Sequence, residues 1–340
     1  MKYFEAKPVT DFKDANGNVP EILIVDGNRT GGKTTAFSRL LVDDFLQNGK
    51  KFFLVYRYKN EMRDIAEAFF KDIKSLFFPD YEMTAKSHAD GKYFELYLNN
   101  QSCGYASSLT MAPKLKRFSH IFSDVQNMFF DEYQDENNLY LPNEVSSLIS
   151  LHTTIARGQG KAVRFVPLYM ASNSFSIFNP YYVALGITSK INSKTKVYRG
   201  NGFVLLRLII KDVSEAQRAS AFNQAFAANN YLSSSIDNAF VNDDSFNVER
   251  KEVSGFPIFT FIYSGTVYSV FNEEDFLYVR KGGDKDSRSC FGVEQNDRGQ
   301  NVRSIAHSPL LNRLRFRYEN AEVFFETQEV KNAFQCLIYV

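Results

Sequence analysis

The first half of the chain alternates short apolar runs with stretches whose apolar residues recur every three or four positions. Ile22–Val25 (ILIV), Lys51–Tyr56 (KFFLVY), Val125–Phe130 and Val163–Met170 are the short runs. A run apolar on both faces predicts a strand in a parallel sheet covered on both sides. Between the first two runs, Thr35–Gln47 sets Phe37, Leu40, Leu41 and Phe45 at helical spacing and ends at Asn48-Gly49, a C-cap pair. A long helix is expected over Asn60–Leu76, with Ile65, Phe69, Ile73 and Leu76 on its core face. Lys86–Leu109 alternates and carries Asp90-Gly91 and Asn99-Asn100, which predicts a small antiparallel excursion. Pro142 opens a helix reaching about Arg157, and Asn179-Pro180 opens another that stops near Gly186. Strands alternating with helices imply an α/β domain with a mostly parallel sheet and right-handed crossovers.

Around Ile187–Gly202 the pattern gives way to Ser, Asn, Lys and Gly. Residues 188–202 are therefore expected to be a linker between a domain at 1–187 and a smaller α+β domain at 203–340. In the latter, Phe203–Ile210 reads as a strand and Glu215–Ala228 as helical. Phe246–Val279 reads as several strands, Gly282–Asp286 as a loop, and Val323–Val340 as mixed helix and strand. No internal repeat is present.

Composition changes this picture little. The 340 residues include 33 Phe, 19 Tyr and no Trp, and 40 basic residues nearly balance 39 acidic ones. Any contact with a polyanion must then come from a local patch, such as Lys114, Lys116 and Arg117, rather than from overall charge. Cys103, Cys290 and Cys336 lack metal-ligand spacing and are expected to be reduced thiols. The start MKYFEAKPVT has no signal-peptide apolar region, and no run approaches the ~20 apolar residues of a membrane span. A soluble intracellular protein with no membrane partner is the expectation.

Chemistry enters at the end of the first apolar run. Gly27-Asn28-Arg29-Thr30-Gly31-Gly32-Lys33-Thr34 fits G-x-x-x-x-G-K-[ST] at every fixed position, with a strand before it and a helix after it. In that motif backbone N–H groups and the helix N-terminus cradle phosphates, the lysine reaches the β- and γ-phosphates, and the hydroxyl ligates Mg²⁺. Residues Gly27 to Thr35 are thus the expected nucleotide-binding loop, with Lys33 catalytic and Thr34 on the metal. Asp131-Glu132 ends the MFF strand. The aspartate is expected to hold Mg²⁺ and the glutamate to orient or deprotonate the attacking water. No N-K-x-D guanine motif occurs, which favours ATP.

Further positions carry more than one reading. Arg29, inside the loop, either stabilises γ-phosphate charge in cis, reaches an acid on a neighbouring element or points to solvent. Asn173, in Ser172-Asn173 after the next strand, is either a γ-phosphate sensor or a capping residue. Arg157 is either a catalytic arginine or a cation suited to a helix C-terminus. Tyr3 or Phe4 either stacks on adenine or packs on the domain.

The blocks GNRTGGKTT, YRYKNE, FFDEYQDENNLYLPNEVSSL, ARGQGK and SNSFSIFNPYY, in this order, resemble the DNA-packaging ATPase of phi29-like phages, a compact branch of the terminase large-subunit motors. The likeness covers Ile22 to about Ile187 and is fainter beyond, at SIDNAF and FTFIYSGTVYSV. It implies an additional-strand P-loop ATPase domain and a C-terminal domain resembling a vestigial RNase H-like nuclease. Asp212, Asp244, Glu273, Glu274, Asp275, Asp284 and Asp286 form no clear three-acid set there. By similarity Arg157 matches the family's arginine finger, supplied to the neighbouring subunit, and Lys59 matches a lysine facing DNA in the central pore. The resemblance further implies double-stranded viral DNA, the procapsid portal and a packaging RNA as partners. It implies a homo-oligomeric ring, a pentamer, working in the cytoplasm of the infected bacterium and transiently on the procapsid. The expected function is ATP-driven packaging of DNA into a preformed capsid. Another ring-forming translocase or helicase, and a nucleotide-gated docking protein, are the alternatives.

Overall fold

A computed structural model describes residues 4–66, 69–136, 139–158, 160, 162–177, 179–188, 190–191, 195–225, 247–263, 265–285, 289–293, 297, 302–305 and 308–339. They divide into two compact units, one drawn from 1–176 and 193–241, the other from 177–192 and 242–340.

The first unit is built on β1 (Ile22–Gly27), α1 (Lys33–Asn48), β2 (Lys51–Tyr56), α2 (Lys59–Ala66), α3 (Lys71–Phe77), β3 (Met83–His88), β4 (Tyr93–Leu98) and β5 (Gln101–Ser108). It continues with α4 (Ala112–Leu115), β6 (Val125–Asp131), α5 (Glu144–Ile155) and β7 (Leu168–Ser172). Helix α6 (Pro180–Ala184) belongs to the second unit, and the first resumes with β8 (Val197–Arg199), β9 (Phe203–Leu208), α7 (Lys211–Ala219) and α8 (Ala221–Ala225). Its sheet runs β3-β4-β5-β2-β6-β7-β1-β9-β8. The six strands from β5 to β9 are parallel, while β3, β4 and β8 are antiparallel additions at the two edges.

The parallel core follows from residues that satisfy both faces. Leu23 to Val25, Phe52 to Val55 and Met128 to Phe130 are all buried. Phe37 of α1 lies on Phe129 of β6 and Tyr169 of β7, with centroids 5.5 and 5.3 Å apart. Each such side chain contributes roughly 1.5–3 kcal/mol by leaving water. Strand β5 pairs this closely with β2 only because residue 104 is glycine: a Cβ there would lie 2.2 Å from the Phe52 carbonyl oxygen.

Several expectations are corrected. The helix expected over Asn60–Leu76 breaks into α2 and α3 at Phe70, which adopts a left-handed φ of 59°. Phe69 and Ile73 reach the core, whereas Leu76 is exposed. The strand expected from Val163 begins only at Leu168, and Val163 and Phe165 are exposed. The boundary between domains also falls differently from the expected 187 and 203. Phe203–Leu208 pairs in parallel with β1 along its whole length, and β8, inside the expected linker, pairs with β9. The physical reason is visible in FVLLRL, where five consecutive residues are buried, as a strand covered on both faces requires. The helical segment after it ends in the described residues at Ala225, and the rest of Glu215–Ala228 lies outside them.

The second unit holds β10 (Phe259–Tyr263), β11 (Thr266–Asn272), β12 (Leu277–Lys281), β13 (Cys290–Gly292), β14 (Val302–Ser304), α9 (Pro309–Glu319), β15 (Val323–Phe325) and α10 (Gln328–Tyr339). Strands β10, β11 and β12 form an antiparallel meander; β13 and then β14 add in parallel beside β10, and β15 in parallel beside β12. The core is aromatic, with Phe261, Phe325 and Phe334 fully buried. Neither β10 (FTFIY) nor β13 (CFG) carries a carboxylate, and among the described residues no group of three or more His, Cys, Asp or Glu is placed to hold a metal. Asp244 and Asp286 lie outside the described residues, and Asp212 belongs to α7 of the first unit. No helix among the described residues is long and apolar enough to cross a membrane.

Candidate functional site

The loop between β1 and α1 turns tightly, with Thr30 and Gly32 at φ 60° and 83°. Lys33 opens α1 and folds back over the loop. Its Nζ donates to the carbonyls of Gly27 and Asn28, both at 2.9 Å, and to Asn173 Oδ1 at 3.2 Å. Lys33 is buried, and loss of hydration pushes its pKa down to about 8, against the pull of Asp26, Asp131 and Glu132. An ammonium held this way is stored against the loop's own carbonyls.

Asp131 and Glu132 stand at the end of β6. One strand, β7, separates β6 from β1, so this is the additional-strand arrangement. Asp131 keeps some exposed surface, but its carboxyl is ringed by protein. That lost hydration pushes its pKa up to about 6, opposed by a hydrogen bond from the Thr34 side chain and raised further by Glu132. Glu132 is exposed and adopts φ 51°, a left-handed conformation that costs a residue with a Cβ about 1–2 kcal/mol.

Arg57, at the end of β2, holds that backbone in place. Its guanidinium donates to the Tyr133 carbonyl at 2.6 Å, approaches the Glu132 carbonyl at 3.5 Å, and pairs with Glu144 at 3.1 Å. Both side chains of this pair are buried, at 7% and 0% exposure. Below the loop, Asp26 accepts from Tyr133 at 2.7 Å and from Gln134 at 3.0 Å, tying β1 to the segment after Glu132. None of Asp26, Arg57, Tyr133, Gln134 and Glu144 was among the expected site residues. A buried YRYK arginine directly after an apolar strand is the one signal that pointed to Arg57.

Among the readings of Arg29 the structure has it reach an acid, since it pairs with Glu136 at 3.3 Å across an exposed edge. Asn28 is buried and faces away from the cavity. Its amide donates to Ser214 Oγ at 3.2 Å and its Oδ1 accepts from the Ile210 N–H at 3.0 Å. Gln217 of α7 adds a bond to Thr30 Oγ1 at 2.8 Å, so a helix expected in another domain supports the loop from outside. Phe4 packs on Phe37 at 5.6 Å, and Tyr3 lies outside the described residues. Lys59 is exposed at the start of α2, and its Nζ donates to the Asp90 carbonyl in the β3–β4 turn at 3.1 Å.

Arg157 does not join this group. Glu144, at the head of α5, sits on Arg57, and the 12 residues of α5 carry the chain about 18 Å away. At the far end Arg164 donates to the carbonyls of Ile155 at 2.7 Å and Val125 at 2.8 Å, fixing the helix end to the start of β6. Arg157 is exposed there. A cavity of about 1090 Å³ is lined by Arg29 to Thr35, Asp131, Glu132, Ser172 and Asn173, and continues along α1 to Arg39, Asp43, Leu76 and Phe77.

The profile of the family described as Podovirus DNA encapsidation protein (Gp16) matches residues 19–339. The DNA packaging protein of Bacillus phage phi29 is 26% identical over 315 residues, covering 91% of this chain and 90% of the relative. That of Bacillus phage B103 is 29% identical over 280 residues, covering 80% and 81%. Two solved structures share the fold over 99% of this chain. The Phi-28 gp11 DNA packaging motor does so with a TM-score of 0.64 at 17% identity and 98% coverage. The Phi-29 viral genome packaging motor assembly does so with 0.63 at 21% identity and 100% coverage.

Proposed function

We propose that this chain, which belongs to the podovirus DNA encapsidation protein family, is the ATP-hydrolysing motor that drives double-stranded viral DNA into a preformed capsid. One observation carries the reading: Lys33, Thr34, Asp131 and Glu132 meet in one cavity at the ends of β1 and β6. The phosphates of ATP displace the Gly27 and Asn28 carbonyls from the Lys33 ammonium. Asp131, with its carboxyl stripped of hydration beside the Thr34 hydroxyl, fits a divalent cation, whose charge would offset the burial. Bound Mg²⁺ would neutralise charge on the β- and γ-phosphates. Glu132, exposed to the cavity, accepts the proton of the attacking water.

Arg157 completes the site of a neighbouring copy rather than its own, because α5 holds it at the other end of the sheet. Subunits arranged in a ring satisfy every site this way. Lys59 lies beside the β3–β4 turn as the DNA-phosphate contact, and the portal and a packaging RNA are the docking partners. The test compares two variants. Lys33→Ala is expected to lose ATP binding, and Glu132→Gln to bind ATP at near-normal affinity while hydrolysis falls at least 10²-fold. Equal loss of affinity in both would contradict the roles assigned here.

A further inference from the structure

The cavity extends well past the space a triphosphate fills, and its outer wall is already organised. Arg39, on the second turn of α1, lays its guanidinium over the ring of Phe77, 4.4 Å from the centroid. Asp43, one turn later, pairs with it at 3.4 Å. All three line the cavity, and the Arg39 side chain remains 53% exposed. Facing them, Phe4 to Pro8 line the same space, with the Phe4 N–H bonded to the Gly31 carbonyl at 3.1 Å.

We infer that the Arg39 guanidinium, flattened on Phe77 and oriented by Asp43, is the stacking platform for the purine base of the bound nucleotide. The inference rests on the phosphate-loop reading of the same cavity. The spacing supports it. Thr35 lies at the phosphate end, and Arg39 is four residues on, on the same helix face and about 6 Å further along the axis. A nucleotide anchored by its phosphates at the loop runs out along that face. A guanidinium plane already backed by an aromatic ring presents its other side to a π-system without further ordering. The exposure of Phe77 and Leu76, at 39% and 67%, is otherwise unexplained on a helix whose Ile73 is fully buried.

Equilibrium binding of ADP and of inorganic pyrophosphate to the full chain tests this, since only ADP carries a base and neither is turned over. Arg39→Ala and Phe77→Ala are each expected to weaken ADP about tenfold and to leave pyrophosphate within about twofold. Arg39→Lys should lose nearly as much as Arg39→Ala, while Phe77→Tyr should stay near wild type, which separates stacking from a loss of fold. Lys33→Ala should weaken both ligands. If Arg39→Ala leaves ADP binding unchanged while Lys33→Ala loses both ligands, the platform is wrong and the phosphate loop stands. If Arg39→Ala weakens both ligands equally, the platform is also wrong. If Lys33→Ala loses neither, the loop reading itself fails.

Discussion

The two ends of α5 belong to the same helix and do opposite kinds of work. At its head, Glu144 is fully buried against Arg57, and the pair fixes the backbone of Glu132 in a left-handed conformation. At its tail, Arg164 grips three carbonyls, those of Ile155, Val125 and Phe122, and leaves Arg157 exposed. One end stores charge out of water at a cost, and the other offers charge to whatever approaches. With Arg157 as the proposed finger, a subunit built this way would carry most of one site and the missing part of another. On the function proposed above, which gives Arg157 to a neighbouring copy, the length of this one helix is what would divide hydrolysis between copies.

The sharpest way to break that comparison is to separate the two ends genetically. Arg157→Ala is expected to bind ATP almost normally and to lose ~10³–10⁵ in hydrolysis rate. Arg157→Lys should fail nearly as badly, because lysine lacks the planar fork that spans two phosphate oxygens. Mixing Arg157→Ala with Glu132→Gln subunits, each inactive alone, should restore partial ATPase activity at interfaces that take glutamate from the first and arginine from the second. Absence of recovery, with mixed assembly shown independently, would place the arginine in cis and remove the need for a ring.

The buried end predicts a smaller, thermodynamic effect. Arg57→Ala leaves the Glu144 carboxylate buried without its partner, which is expected to destabilise the first unit by about 3–5 kcal/mol. Replacing both by Met and Leu should cost much less than the sum of the single changes, measured by denaturant unfolding. Additive losses would mean that the pair is not coupled.

What could be read without a structure follows the same division between local and distant causes. The positions of the loop at Gly27 to Thr34 and of the acids at 131 and 132 are legible because each directly follows or ends an apolar run. The strand order that puts β7 between them was legible only through family likeness. The place of β9 was misread because its pairing partner lies some 180 residues away, and the Ser/Asn-rich segment before it looked like a boundary. FVLLRL, apolar on both faces, held the correcting signal. Asn28 illustrates the limit: a motif position between two glycines gives no hint that its side chain turns toward Ser214 and Ile210. Arg157 could be recognised as a candidate finger, but the distance that separates it from its own subunit's loop comes from α5 and the Arg164 anchor together.

The smallest predicted effect isolates the loop from the tail of α5 by pH. Without nucleotide, Lys33 is half-protonated near pH 8, because burial disfavours its charged form. The unfolded chain has a lysine near 10.4, so between about pH 8 and 10 the folded state holds fewer protons than the unfolded one. The cost of burying the ammonium is therefore present below pH 8 and relieved as pH rises. Nucleotide reverses the sign, since phosphates favour the ammonium and draw the proton back. ADP affinity should be nearly level from pH 7 to 8 and then fall by up to about tenfold per pH unit. Calorimetry in buffers of different ionisation enthalpy should show proton uptake on binding that grows from near zero at pH 7 toward one per site above pH 9. Arg157→Ala should leave that uptake unchanged, since Lys33 opens α1 at the loop and Arg157 lies past the tail of α5. Uptake that is absent at pH 9 would show that burial does not hold Lys33 below its ordinary pKa, and uptake that disappears in Arg157→Ala would show that the loop and the tail of α5 are not separated as the fold implies.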